Sequence, residues 1–379
     1  MSSKRTAAPV EPARIVSTPS RVVGRATPEG TGRCAARHAA ALADDFHRDV
    51  GGGLRASSIG IGTYLGDCGE SDDQRYAEAI AHAVRRGINL VDTAINYRCQ
   101  RSERAAGAAL RELLVQEEAE RDEIVLCTKG GYVPLDGTPP SSREAYRDYL
   151  EGHYLARGVM RAEDVVAGGH CIAPGFLADQ IERSRENLGV ATIDVYYVHN
   201  PEQQLTAVKE DVFLERMRDA FVLLEERVAD GTIGAYGVAT WNGLRVGPGV
   251  KGHLSLPALA AVAREIGGDD HHFRFVQLPI NLAMMEAARE PTQRLPGGLA
   301  VTLLQAAAEL GISVVASASL MQAQLTRGLP PAARELFPAL ATDAQCALAF
   351  VRALPGVVSA LAGMRSVEHV EENLGAGQR

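Results

Sequence analysis

Residues 88–97 read INLVDTAINY. The run begins as an apolar strand and ends on two ionisable side chains, Asp92 and Tyr97. Buried polar groups are costly unless partnered, so such an ending is odd for plain core. Two further runs end in the same way. Residues 124–128 (IVLCT) lead into Lys129, and residues 193–198 (IDVYYV) lead into His199. Ionisable residues at the C-terminal ends of successive strands are the layout of a site at the top of a parallel β/α barrel.

Working outward from these strands, the chain alternates. A hairpin is expected over 46–58, turning at Gly51, Gly52 and Gly53. Strands are expected at 58–63, 88–92, 124–128, 193–198, 233–238, 273–278, 312–316 and 357–361. Helical periodicity falls between or after them, at 72–86, 102–114, 177–188, 212–229, 257–265, 299–310, 343–352 and 366–374. Repeated β-α units mean a parallel sheet, and eight of them close into a barrel. The expected fold is therefore α/β, an eight-stranded parallel (β/α)8 TIM barrel with an N-terminal hairpin and long top-face loops. One segment breaks the alternation. Residues 130–174 are long and rich in Tyr, Gly and Pro, and they follow a strand's C-terminus, so they should cover the top face.

The chain divides into a flexible N-terminal extension, 1–45, and a barrel, 46–379. Residues 1–33 are rich in Arg, Ser, Thr and Pro, with Glu11 and Glu29 as the acids, which faintly suggests an organelle transit peptide. A partly disordered extension is the plainer reading, with a short helix at 34–43. A net charge of −8, with no basic run interleaved with aromatics, argues against a nucleic-acid surface. No apolar stretch approaches the ~18 residues of a membrane span. The six cysteines show no CxxC pairing, so free thiols in a reducing cytoplasm are expected.

Several motifs have plainer alternatives. Gly60-Ile-Gly62-Thr-Tyr-Leu-Gly66 lacks the spacing of a dinucleotide fingerprint. Gly62 and Thr63 instead read as a strand end with little bulk, where a ligand can come close. Lys129, one of four lysines, could merely snorkel, but Asp92 nearby would neutralise it in the barrel mouth. Period-2 alternation puts Val195, Tyr197 and His199 on one face, so His199 should project inward; a satisfied core histidine is the alternative. His170 and Cys171 lack further ligands at zinc-site spacing. Gly363-Met-Arg365-Ser366 opens the last helix, and a helix N-terminus with Arg and Ser is a ready phosphate site.

The set Asp92, Tyr97, Lys129 and His199 resembles the catalytic tetrad of the aldo-keto reductases. The likeness is local as well: VDTAINY resembles the family's D-T-A-x-x-Y, CTKG its T-K, DVYYVHNPE its D-x-Y-x-x-H-x-P, and GMRSVEHVEENL its G-x-R-S-x-x-x-x-x-E-N. It runs from about 46 to 374. The resemblance implies a barrel closed at the bottom by the hairpin, binding NADP(H), with NAD(H) as a further possibility. It implies reversible hydride transfer between the nicotinamide and a small-molecule carbonyl or alcohol, such as an aldehyde, ketone or sugar. Tyr97 would be the general acid, Lys129 would tune it, Asp92 would hold Lys129, and His199 would orient the carbonyl. Cofactor contacts implied are Gly62, Thr63, Asp92, Thr240, Gln277 at the carboxamide, Ser317, Leu320, Arg365 and Ser366 at the 2′-phosphate, and Glu372 and Asn373 at the adenine.

Three positions depart from the family pattern. Ala239-Thr240 stand where Ser-Asn or Ser-Arg is frequent, Ser317 where an aromatic commonly stacks on the nicotinamide, and Asn200 where Trp often follows the histidine. The alternative these departures leave is an NADP(H)-binding sensor or regulatory subunit with negligible turnover. The long 130–174 segment would reshape the substrate pocket.

Overall fold

The computed structural model describes residues 21–379. Twelve strands occur among them: β1 His47–Val50, β2 Leu54–Ser57, β3 Ile59–Gly62, β4 Leu90–Asp92, β5 Val125–Gly130, β6 Ile193–His199, β7 Ile233–Ala239, β8 Phe273–Pro279, β9 Gln293–Arg294, β10 Ala300–Val301, β11 Ser313–Ser317 and β12 Val357–Gly363. Eight of these close into a barrel in the order β11-β12-β3-β4-β5-β6-β7-β8, with every pairing parallel. The expected barrel is thus the observed fold. Each barrel strand is followed by a helix, from Glu70–Arg85 after β3 to Val367–Leu374 after β12.

Alternation sorts the side chains. Val195 and Tyr197 of β6 join Leu90, Val125, Cys127, Phe275, Val315 and Leu361 inside the barrel. Tyr196 and Val198 face the helices. That parity carries on to the strand ends. Asp92 continues the inward set of Leu90, Lys129 that of Cys127, His199 that of Tyr197, Gln277 that of Phe275, and Ser317 that of Val315. Gly60 lies inside the same wall, where a Cβ would come within 2.6 Å of the Leu361 side chain and 2.8 Å of Leu90.

The β1–β2 hairpin lies where expected and pairs His47 opposite Ser57 and Val50 opposite Leu54. It covers the N-terminal mouth: Arg48 donates to the Val357 carbonyl at 2.8 Å, and the Gly51 amide donates to Ser313 Oγ at 3.1 Å.

Three expectations need correction. The segment 21–45 is not a loose extension. Val22 pairs with Val190, and Pro28–His38 is a helix capped by Thr27, whose hydroxyl accepts from the Gly30 amide at 2.9 Å. Arg33 and Arg37 tie it to Asp122 and Glu123. The helix expected at 34–43 starts earlier because Thr27-Pro28 supplies cap and first turn. The part of the extension before residue 21 lies outside the described residues. The helix expected over 299–310 is Leu303–Glu309. Residues 300–301 pair instead with 293–294, and Thr302 with Gln305 forms a capping box that sets the start. The 130–174 segment breaks the alternation as expected and is folded. It holds a helix, Arg143–Leu150, and its own apolar cluster of Val133, Tyr154, Met160 and Cys171 against Phe176. No helix among the described residues is long and apolar enough to cross a membrane.

Candidate active site

Asp92 and His199 are the last residues of β4 and β6, and Lys129 is the last but one of β5. Tyr97 lies beyond its strand, and backbone bonds carry it there. The Thr93 amide donates to the Cys127 carbonyl at 3.0 Å, Ile95 to Lys129 at 3.2 Å, and Tyr97 to Ala94 at 3.0 Å. The turn that follows is strained: Arg98, Cys99 and Gln100 take φ of 47°, 54° and 68°. Left-handed conformations are uncommon for residues with a Cβ, and they gather at functional sites.

Lys129 is fully buried. Its Nζ donates to Asp92 Oδ1 at 2.5 Å and to the Thr93 carbonyl at 2.8 Å, and it stands 5.0 Å from the centre of the Tyr97 ring. Burial works against its charge, but Asp92, the Tyr97 phenol and the direct bond to Asp92 outweigh it, and its pKa stands above the ordinary lysine value. The second Asp92 oxygen accepts from Gln277 Nε2 at 2.8 Å. Gln277, expected at a carboxamide, therefore commits its amino group to Asp92 and keeps its carbonyl oxygen free.

Burial raises the Tyr97 phenol above its usual pKa; Lys129 opposes that without cancelling it. Lys129 thus pulls the phenol in the direction expected of a tuning group, while burial has the larger effect. The rings of Tyr97 and His199 meet edge-on with centroids 5.9 Å apart, and Tyr64 packs edge-on against Tyr97 at 5.0 Å. Burial, then Lys129 and His170, hold His199 well below the usual imidazole pKa, so it is neutral. Its Nδ1 is buried without a partner, which leaves Nε2 for a ligand. Below it His170 Nε2 bonds to the His199 carbonyl at 2.8 Å, and His170 Nδ1 meets Gln204 at 2.8 Å. His170 is a brace, and no group of side chains among the described residues could hold a metal ion.

A cavity of about 1240 Å³ opens over these residues. Asp92, Tyr97 and His199 line it, with Gly62, Thr63, Thr240, Gln277, Ser317, Leu320, Glu372 and Asn373. Lys129 lies beneath it. Arg365 and Ser366 do not line it. Ser366 caps the last helix through the His369 amide, and Arg365 pairs with Asp72 at 3.1 Å just beyond Gly363.

Sequence reasoning passed over other lining residues: Tyr64, Tyr132, Glu202, Trp241, Lys251 and Arg327. The positions of Tyr64 and Trp241, each two residues past a strand end, were the available signal. Tyr132 is the one lining residue from the 130–174 segment, so that segment touches the pocket far less than expected. Its hydroxyl accepts from Asn200 Nδ2 at 3.0 Å, and its ring meets His199 at 5.1 Å. Glu202 is buried, and Oε1 accepts from the Trp241 and Asn242 amides at 2.9 and 3.2 Å, fixing the loop after β7. Lys251 and Arg327, both in loops, enter no ion pair among the described residues; nothing in the sequence around them marked them out.

A model of the aldo/keto reductase family matches residues 58–247. Among curated proteins, the chain is 27% identical over 193 residues to aldo-keto reductase YhdN of Bacillus subtilis, a match covering 50% of this chain and 45% of that protein. It is 30% identical over 172 residues to a D-threo-aldose 1-dehydrogenase of a Pseudomonas species, covering 45% of each. The chain spans about half the length of the curated relatives it matches. Among solved structures, an aldo/keto reductase from Klebsiella pneumoniae in complex with NADP and acetate shares the fold at 21% identity and a TM-score of 0.58, covering 87% of this chain and 89% of that one. The glycerol dehydrogenase AKR11B4 of Gluconobacter oxydans does so at 20% and 0.59, covering 88% and 90%.

Proposed function

The chain belongs to the aldo/keto reductase family, and on that premise we propose that it is an NADP(H)-dependent oxidoreductase interconverting a small carbonyl compound and its alcohol. The observation that carries this reading is the Tyr97 phenol facing the cavity, with the buried Lys129–Asp92 pair behind it and neutral His199 beside it.

The cavity fits the cofactor. Its volume exceeds the ~300–1,000 Å³ common for single-ligand pockets. It runs from Tyr97 to Asn373, and a Cβ at Gly363 on its wall would meet nothing. Lys251 and Arg327 on its lining, without an ion pair among the described residues, offer positive charge to a pyrophosphate. Thr63, Ser317, Leu320, Glu372 and Asn373 would hold the cofactor, with the Gln277 carbonyl oxygen at the carboxamide and Arg365 reaching the 2′-phosphate. Solved neighbours in complex with NADP and NADPH support the choice of NADP(H). Once bound, the cofactor supplies or accepts a hydride at the carbonyl carbon.

The side chains do the rest. As carbonyl becomes alkoxide, charge develops on its oxygen, and the Tyr97 hydroxyl delivers a proton there. A raised phenol is fully protonated at neutral pH, as reduction requires. Lys129 limits that rise, so that the phenolate needed for alcohol oxidation stays within reach. Neutral His199 donates a hydrogen bond from Nε2 to the same oxygen and orients it. Gln277 and Lys129 hold Asp92 so that the lysine keeps its charge.

The curated relatives act on different substrates by name, including an aldose and methylglyoxal, so the class is as far as the reading extends. The test is absorbance at the reduced-nicotinamide band with a panel of aldehydes, ketones and aldoses. Consumption of NADPH that needs a carbonyl compound is the expected result. Tight NADPH binding with no turnover on any of them would move the chain to the sensor reading.

A further inference from the structure

One pair of thiols lies beside the catalytic turn and takes no part in the chemistry above. Cys68 is in the loop after β3, and Cys99 is two residues past Tyr97. Their Sγ atoms are 3.4 Å apart, and both are free. Arg98 holds them together. Its Nε donates to the Asp67 carbonyl at 2.8 Å and its Nη2 to the Gly69 carbonyl at 3.2 Å, so the guanidinium brackets Cys68 on both sides. The same Nη2 pairs with Asp73 at 2.6 Å. On the other side, the Cys99 carbonyl accepts from the Gly137 amide at 3.0 Å, and Gln100 Nε2 donates to the Leu135 carbonyl at 3.1 Å. The strained stretch from Arg98 to Gln100 is therefore pinned with its one thiol aimed at Cys68.

Bonded sulfurs stand about 2.05 Å apart, so closing the pair takes about 1.4 Å of travel. Rotation about the two side chains supplies part of that; Arg98 ties the 66–69 loop through the Asp67 and Gly69 carbonyls, so the rest falls on the 97–100 turn. The two thiols differ in access. Cys68 is part-exposed, whereas Cys99 is buried, and burial together with the Cys68 thiol pushes Cys99 up to about 12. Cys68 is the one an oxidant reaches first, because it is the more exposed of the two.

We propose that Cys68 and Cys99 form a reversible disulfide with peroxides, and that its closure displaces the Tyr97 turn and lowers turnover. The Cys68 sulfur attacks one peroxide oxygen. An S–O bond forms as the O–O bond breaks, and the other oxygen leaves as water or, from an organic peroxide, as the alcohol. The Cys99 sulfur then attacks the resulting sulfenic sulfur. The S–S bond forms as the S–O bond breaks, and the hydroxyl leaves with the Cys99 proton as water. Two thiols are oxidised by two electrons and one peroxide is reduced.

The effect on turnover rests on the oxidoreductase reading; the disulfide itself does not. The full chain, its Cys68→Ser variant and its Cys99→Ser variant are treated with hydrogen peroxide, alkylated after denaturation and mapped by mass. The proposal predicts a linked Cys68–Cys99 peptide in the parent alone, removed by dithiothreitol. It predicts altered amide hydrogen exchange over 97–100 in the linked form, a readout that needs no substrate. It also predicts an NADPH-dependent rate lowered by up to about 10²-fold, the scale of a 1 Å misplacement, restored by reductant and insensitive to peroxide in Cys68→Ser. Peroxide that leaves the pair unlinked, or oxidises Cys68 to the sulfinic acid instead, overturns the site. A linked form with unchanged exchange over 97–100 overturns the proposed control, whatever the turnover. If exchange changes and the parent turns over carbonyl compounds equally well when linked, the control is likewise overturned.

Discussion

Lys129 keeps its charge where burial alone would work against it, and in the proposed mechanism that charge sets the working range of Tyr97. Removing it leaves burial and Asp92 to push the phenol higher still. Reduction uses the protonated phenol, which is present below its pKa and lost above it, so in Lys129→Met the alkaline limb of the reduction profile should move to higher pH. Alcohol oxidation uses the phenolate, whose fraction drops about tenfold for each pH unit the limb moves, so oxidation should fall more than reduction. A pH–rate profile in both directions checks this, and a limb that moves down would contradict the assigned role. Arg365 is the second residue with a specific expectation. It now pairs with the buried Asp72 and keeps a side chain that is 42% exposed, so it can turn toward a phosphate. Charge-assisted bonds contribute about 1.5–3 kcal/mol, so Arg365→Ala should weaken NADPH by about one to two decades and NADH much less. Equal loss for both in a binding titration would remove Arg365 from the 2′-phosphate.

Elements decide which residues reach the cavity and which only support it. The 130–174 segment packs on its own cluster and sends Tyr132 alone to the pocket. Aromatic contacts contribute about 0.5–1.5 kcal/mol, so Tyr132→Ala should raise KM for a good carbonyl substrate by about two- to tenfold, with NADPH affinity unchanged; a KM that stays put would show the ring to be mere packing. Asp194 in β6 does the opposite kind of work. It points away from the barrel interior, accepts from Arg121 Nη2 and the Leu126 amide, both at 2.8 Å, and from the Ala26 amide at 2.6 Å. It thereby joins β5, β6 and the N-terminal segment. Asp194→Ala would leave Arg121 buried without its partner, a loss of about 3–5 kcal/mol. Urea unfolding should report it, and a loss near zero would mean the guanidinium finds another acceptor. The aspartate in D-x-Y-x-x-H is thus explained by architecture, where the motif alone had offered no role.

At the scale of the whole molecule, the barrel was legible because alternation is local. The run 193–199 states which side chains face inward, and its neighbours in the sheet repeat the statement. The inward ends Asp92, Lys129 and His199 followed directly; Tyr97 stood out at the end of the run 88–97, and its role came through the family's D-T-A-x-x-Y. The helix Pro28–His38 was misjudged because its buried positions are Gly30, Thr31 and Cys34, which form no apolar stripe. Lys251 and Arg327 were missed because an unpaired cation in a loop becomes notable only once a cavity stands beside it. Gln277 was named at the carboxamide, but its bond to Asp92 was not legible, because it joins residues 185 positions apart. All of this converges on one claim, that the molecule carries out proton-coupled hydride transfer through Tyr97. The most direct measurement is the rate of NADPH consumption with a good carbonyl substrate by the parent and by Tyr97→Phe, each with its NADPH affinity. Phe keeps the ring and loses the hydroxyl, and general acid catalysis contributes about 10²–10⁴-fold. The account predicts a fall in kcat of at least about 10²-fold with NADPH affinity nearly unchanged; a variant that stays within about threefold of the parent, far below that range, would contradict it.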